Sequence, residues 1–331
     1  MKVVEVIVST QPVMHKEFDS IITGNTIGSL RERVTLECED GLRVIPASTS
    51  YKRDPEGNRT RVNSPGVRWQ KDVMEYALPR ETGQNYIEVA SEIVFNALPN
   101  DASAQIIPSP VAFTNAAEQD TPIGELLRRF SGLFPRVSFG VYGSIAVGLS
   151  RKDSDMDLAI VGTRQYAGVI HELNRDDCKD EVNIRGMTGP ELQKYASTYA
   201  SQYGVSVEVA RRITENKRRY YAQLVDGSEI KIGLSCIREN EFPDSLLGKK
   251  RVRHIAFQGT VVDSSEANCM PRRYKVETDG EQVSVVSNIW TNRGITREGD
   301  VVSIIGTLRE GNGSTVIGIE HPTDHQIKPI R

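Results

Sequence analysis

The chain has 331 residues, 38% hydrophobic and 26% charged, with a formal net charge of −3. That length suits two or three soluble domains, each able to bury a core, and no run of 18 apolar residues is present to span a membrane as a helix. The amino terminus lacks the long apolar stretch and small-residue cleavage site of a secretory signal. Cys38, Cys178, Cys236 and Cys269 are spaced too widely for a zinc or disulfide framework, so a cytoplasmic protein with free thiols is expected.

Three textures follow one another along the chain. Residues 1–115 mix short β-rich runs with turns. Val34–Cys38 and residues 41–47 are joined by Glu39-Asp40-Gly41, a hairpin signal. Residues 51–66 are polar, charged and turn-rich, which predicts a loop; its Tyr51, Lys52, Arg53, Asp54, Glu56, Arg59 and Arg61 read either as a solvated turn or as a substrate-gating loop. Residues 86–99 fit a strand pair or a helix, and the proline-bearing 106–113 reads as a connector.

From 116 to 248 the pattern is α/β. Thr121-Pro122 gives a cap and a proline at the first helical position, followed by an amphipathic stretch. Residues 137–144 and 157–161 read as strands, 165–173 as a helix. Residues 189–204 and 205–224 read as two further helices, and 229–236 alternates as a strand should, with Ile230, Ile232 and Leu234 on one side. From 249 to 331 the texture is all-β. Five short strands in about 80 residues, with turns at Asp279-Gly280, Gly299-Asp300 and Gly311-Asn312-Gly313, suit a small barrel of the OB type.

The chemistry concentrates in residues 140–162, GVYGSIAVGLSRKDSDMDLAIVG. A Gly-Ser at the end of a strand lets a triphosphate approach the backbone closely and offers it a hydroxyl. Asp155 and Asp157, two residues apart, point to one face, where their hard oxygens can hold Mg²⁺ or Mn²⁺, while Met156 and Leu158 face the core. Two metal ions in such a site serve an in-line displacement at phosphorus.

This segment resembles the GS…DhDh signature of the DNA polymerase β-type nucleotidyltransferase superfamily. The resemblance implies that Gly143 and Ser144 hold the nucleotide phosphates with help from Arg151 and Ser154, and that Asp155 and Asp157 are catalytic metal ligands. It also implies a third carboxylate on a later strand. Residues 229–236 are the expected strand, yet Lys231 falls where the family has its aspartate. Glu229, two residues away on the same face, is the nearest acid. Either Glu229 substitutes as the catalytic acid, or a residue of another domain does, or Lys231 binds phosphate in a site that has lost transfer activity. More broadly, the order of DGLRVIPASTSYKRDPEGNR, GSIAVGL…SDMDL and PRRYKV…GDVVSIIG is similar to an archaeal family of predicted nucleotidyltransferases with an appended OB-like domain.

The expected fold is therefore α+β and α/β in three domains: a β-rich domain (1–115), a polymerase β-like nucleotidyltransferase core of mixed sheet and helices (116–248), and an OB-like β-barrel (249–331). Basic clusters stand at Arg211-Arg212, Lys217-Arg218-Arg219, Lys249-Lys250-Arg251 with Arg253, and Arg272-Arg273. Arg272, Arg273, Tyr274 and Trp290 interleave cations with aromatics, the composition of a single-stranded nucleic-acid platform or of a barrel core. The expected reaction moves an NMP from an NTP to a hydroxyl, with an RNA such as tRNA as acceptor. A protein or small-molecule acceptor, and a non-catalytic nucleotide- or nucleic-acid-binding protein, are the alternatives.

Overall fold

The structure is a computed structural model that describes residues 3–8, 19–22, 26–30, 34–38, 43–61, 64–71, 86–88, 94–99, 105–151, 154–175, 183–203, 206–216, 219–238, 246, 249–269, 271–287, 294–311, 313–320 and 326–330. Trp290, Cys178, Lys217 and Arg218 lie outside these residues.

The amino-terminal part is a sheet of β1 (Val3–Val8), β2 (Ser20–Ile22), β3 (Thr26–Leu30), β4 (Val34–Cys38), β5 (Arg43–Arg53), β6 (Arg59–Arg61), β7 (Ser64–Lys71), β8 (Tyr86–Glu88), β9 (Val94–Pro99) and β10 (Gln105–Ile107). The long β5 is its hub and pairs with β3, β4, β7 and β9. The polar stretch from 51 is thus mostly strand. Tyr51–Arg53 end β5, residues 54–58 make a tight turn, and β6 returns along β7. The turn closes on Asp54, whose carbonyl accepts from the Gly57 N–H at 2.9 Å and whose Oδ1 accepts from the Glu56 N–H at 2.8 Å. Gly57 is required there: a Cβ would stand 2.5 Å from the Trp69 carbonyl carbon.

The central unit starts with α1 (Ser109–Ala117) and α2 (Pro122–Leu133), which lead into β11 (Phe139–Tyr142), α3 (Gly143–Ala146), β12 (Met156–Val161), α4 (Thr163–Leu173), β13 (Ile184–Gly186), α5 (Gly189–Tyr203), α6 (Val207–Asn216), β14 (Arg219–Gln223) and β15 (Glu229–Ile237). Helix α1 replaces the expected connector: Pro110 falls at its start, where a missing N–H costs nothing. Its Ser109 N–H donates to the buried Asp19 at 2.8 Å, a cap supplied by the amino-terminal part. Thr121 caps α2 through the Gly124 N–H at 3.1 Å, with Pro122 at the first position and Glu125 in the first turn. The expected helix 205–224 is in fact α6 followed by β14. Tyr220 and Ala222 alternate inward, and the strand is held by antiparallel pairing to β15.

The sheet order is β11-β12-β15-β14-β13, with β12 and β15 parallel and the other pairs antiparallel. One face carries Met156, Leu158, Ile160, Ile230, Ile232 and Leu234 and packs against α1, α2 and α4 through Phe113, Leu127, Phe130 and Ile170. At about 25 cal/mol per Å² of apolar surface removed from water, this face dominates the unit's stability. The opposite face carries Asp157, Ala159, Gly233 and Ser235. On it the Tyr142 hydroxyl reaches across the small Ala159 row to Ser235 Oγ at 2.5 Å, a buried bond that ties β11 to β15 over β12.

The carboxy-terminal strands β16 (Lys250–Asp263), β17 (Arg272–Thr278), β18 (Glu281–Ser287), β19 (Val301–Gly311) and β20 (Ser314–Ile319) form a closed barrel in the order β16-β17-β18-β20-β19 and back to β16. Strand β21 (Gln326–Pro329) adds to β19. The β17–β18 hairpin turns on Asp279 and Gly280, both at positive φ. Ala196, Tyr199, Ala210 and Ile213 of α5 and α6 join the barrel core, and Arg212 pairs with Asp300. Among the described residues no helix is long and apolar enough to cross a membrane.

Candidate nucleotidyltransferase site

The site lies where β11 ends, α3 begins and β12 starts. Tyr142 pairs with Asp157 across the β11–β12 ladder, so Gly143-Ser144 follows directly beside that carboxylate. Gly143 has φ +70°, and a Cβ there would meet Asp157 Oδ2 at 2.9 Å. Glycine is demanded twice, by backbone conformation and by space. From the other side Gly233 lies level with Asp157 in the parallel β12–β15 ladder, and a Cβ there would stand 3.2 Å from Asp157 Oδ1. The two glycines keep the surroundings of this carboxylate open, while Met156 and Leu158 are fully buried beneath it.

Tyr51 of β5 enters the same place. Its hydroxyl lies close to the Ser144 side chain. Burial pushes the phenol above its ordinary ionisation range, the Arg59 guanidinium opposes that rise, and the nearby Asp157 and Asp155 charges add to it. Tyr51 therefore stays a neutral phenol at neutral pH. Sequence reading left this residue in a polar loop; the sign of its role is the alternation that puts Tyr51 and Trp69 inward across the β5–β7 ladder.

The remaining candidates fall in different places. Ser154 is 8% exposed. Its hydroxyl oxygen accepts from the Arg59 side chain at 3.2 Å and from the Arg151 N–H at 2.8 Å, so it braces the loop. Arg151 itself is exposed at the rim. Lys231 is exposed on the site face, opposite Tyr221. Continuing the ladder sets Lys231, which falls where the third acid is expected, level with Asp155, and Gly233 level with Asp157.

Glu229 stands apart from the pair: it lies two residues before Lys231, about 7 Å along the strand from the level of Asp155, and its carboxylate accepts from Arg185 at 3.0 Å. Arg185 also binds Glu191 at 2.8 Å and lies over the Tyr221 ring at 4.4 Å. The charge that could have completed the site is paired at the amino-terminal end of β15.

In the barrel, Tyr274 is 0% and Arg272 1% exposed. A side chain that fills the barrel interior cannot stack on a base, so these two are core residues and not a platform. Tyr274 lies beside residues 294–296, and burial drives its ionisation upward. Arg273 is engaged with Glu266 at 3.0 Å. Exposed cations cluster instead at Lys250, Arg251 and Arg253, with His254 beside them at the start of β16; Arg297 and Lys328 are exposed elsewhere among the described residues. Residues 250–259 of β16 pair with β19, and β17 joins only from Thr260.

Two carboxylates fit a magnesium ion of the kind that takes one or two protein ligands and completes its shell with triphosphate oxygens and water. The open space that Gly143 and Gly233 leave around Asp157 suits that shared shell. Among the described residues no group of three or more His, Cys, Asp or Glu forms a self-sufficient metal cage.

With this geometry, the class of the central unit is defined by comparison. A family model described as a nucleotidyltransferase domain matches residues 123–203, from α2 to the end of α5, and so contains Gly143, Ser144, Asp155 and Asp157. The match ends before β15. No curated protein and no solved structure matched the chain. Residues 123–203 are thus similar to nucleotidyltransferase domains, a likeness that suggests transfer of an NMP group in general.

Proposed function

We propose that the protein is a divalent-metal-dependent nucleotidyltransferase that moves an NMP from an NTP to a hydroxyl acceptor and releases pyrophosphate. The observation that carries this reading is the contact of Gly143 with the Asp157 carboxylate beside Ser144, inside the segment that the nucleotidyltransferase family model matches. Asp155 and Asp157 would hold Mg²⁺ or Mn²⁺. When bound, the cation neutralises phosphate charge and favours the ionised acceptor.

The chain's own part is positional. Ser144 donates its hydroxyl to a phosphate oxygen, and Gly143 lets that phosphate approach the backbone. Fixed donors and a fixed charge pair lower the barrier by holding the reacting oxygens in line. The proton of the acceptor hydroxyl has only Asp155 and Asp157 as carboxylate acceptors among the described residues of the site. Lys231, exposed on the same face, is the nearest cation of β15 for the pyrophosphate or an acceptor phosphate.

The acceptor in this reading is a single-stranded RNA end. The barrel order, with β18 and β20 parallel, is that of an OB-type barrel, a fold that binds oligonucleotides. The exposed Lys250, Arg251 and Arg253 would meet phosphates, in place of Arg272 and Tyr274. A second reading, nucleotide binding without transfer, is favoured by one observation: Lys231 stands where the resemblance expects the third carboxylate, on the strand paired in parallel with β12. Incubation with α-³²P-labelled NTPs, Mg²⁺ or Mn²⁺ and RNA separates the two. Label on RNA supports transfer; retained NTP with no label on RNA, protein or small molecules supports the second.

A further inference from the structure

We infer that Arg59 and Tyr51, both from the amino-terminal sheet, are positioning residues of the nucleotide site, so that the site is built by two parts of the chain. This rests on the proposed nucleotide-binding role of Ser144 and Asp157 and specifies what holds them.

The motif has two halves. Gly143-Ser144 opens α3, and Asp155 and Asp157 stand after a loop. Arg59 ties the two halves together from outside the loop. One nitrogen of its guanidinium, Nη1, donates to the Leu149 carbonyl at 2.7 Å and to Ser154 Oγ at 3.2 Å. Leu149 follows the first half, its N–H bonded to the Ser144 carbonyl at 2.8 Å. Ser154 immediately precedes Asp155 and is held to the loop by the Arg151 N–H. A single side chain therefore bridges both ends of the loop. Arg61 adds a third tie, from Nε to the Val147 carbonyl at 3.0 Å.

Tyr51 acts on the other half. Its ring packs with Trp69, Ile27, Val147 and Leu149, its hydroxyl meets Ser144, and the Arg59 guanidinium stands 5.6 Å from the ring centroid. The apolar contact fixes the ring, and the fixed ring fixes the serine rotamer. The same sheet caps α1 through Asp19, so the two parts are joined at separate places. Binding geometry at Ser144 and metal geometry at Asp155 thus depend on the β5–turn–β6 segment of the amino-terminal sheet.

The test uses the full chain and the variants Tyr51→Phe, Arg59→Ala, Arg59→Lys and Asp157→Asn. Thermal melting, nucleotide binding with labelled ATP and Mg²⁺, and steady-state transfer are measured for each. Tyr51→Phe removes one oxygen and keeps the packing. It is expected to melt with wild type and to raise the KM for NTP about tenfold with little change in kcat, the loss of one polar contact that orients a phosphate donor. Arg59→Ala is expected to lower kcat about ten- to hundredfold, with Arg59→Lys partly restoring it, since a lysine can still reach one of the two acceptors. Wild-type KM in Tyr51→Phe, or wild-type kcat in a folded Arg59→Ala, overturns the inference while leaving the site reading intact. If Arg59→Ala fails to fold, Tyr51→Phe decides. ATP binding that survives in Asp157→Asn without any loss of metal dependence overturns the site reading itself.

Discussion

Gly233 lies level with Asp157 in the parallel ladder of β12 and β15, and a Cβ at Gly233 would stand 3.2 Å from the Asp157 carboxylate. The resemblance drawn from sequence puts a third acid in this neighbourhood. This chain instead has a residue without a side chain next to its central carboxylate. Gly233→Ala is expected to shift that carboxylate by a few tenths of an ångström and to lower transfer about tenfold, since displacements of this order matter in positioning. Gly143→Ala combines a 2.9 Å contact with φ +70° and is expected to abolish transfer and to cost about 1–2 kcal/mol of stability. Transfer rates and chemical denaturation of both variants check this; equal activity of Gly143→Ala and wild type contradicts it.

Glu229→Gln separates the placement by structure from the placement by sequence. With its carboxylate on Arg185 and about 7 Å along the strand from the level of Asp155, its loss should leave kcat within about twofold and reduce stability by at most about 1 kcal/mol, the range of an exposed ion pair. A hundredfold fall in kcat would return Glu229 to the catalytic set.

The same cluster gives a pH dependence. Arg185, and after it the Thr188 N–H, hold the Glu191 carboxyl down at about 2, against 4.5 in its ordinary state. The folded value is the lower one. Its contribution is therefore complete above about pH 4.5 and is lost as pH falls toward 2. The melting difference between wild type and Glu191→Gln should shrink over that window and also shrink with salt, because the pair is solvent-screened. A difference that grows below pH 4 would refute the assignment.

The barrel predictions exchange one set of residues for another. Tyr274→Ala should cost about 3–5 kcal/mol by emptying the core. Arg251→Glu with Arg253→Glu should leave melting unchanged while weakening RNA binding and flattening its salt dependence by about one phosphate contact per cation lost. Gel-shift titrations at several salt concentrations read both effects. Unchanged RNA affinity in the double variant would remove β16 from the interface.

The legible parts of the fold were those set by local chemistry. Gly143-Ser144 with Asp155-x-Asp157, the Thr121-Pro122 cap and the Asp279-Gly280 turn each carry their reason within a few residues. What could not be read depends on distant partners. Tyr220 and Ala222 form a strand because β15 pairs with them, overriding a run that looks helical. Arg272 and Tyr274 look like a platform in sequence and become core only when the barrel closes around them. Arg59 finds its acceptors 90 and 95 positions away, at Leu149 and Ser154. A polar stretch gives no sign of which loop it will brace. The pairing of Glu229 was hidden for the same reason: its partner Arg185 comes from another strand.

The most direct test of the central claim is label transfer from α-³²P-NTP to RNA in the presence of Mg²⁺ or Mn²⁺, comparing wild type with a folded Asp157→Asn. The account predicts metal-dependent labelling by wild type and a loss of at least about a thousandfold in the variant, the scale of removing an essential electrostatic group. Labelling of equal strength by the two proteins, or persistence of labelling after chelation, would contradict it.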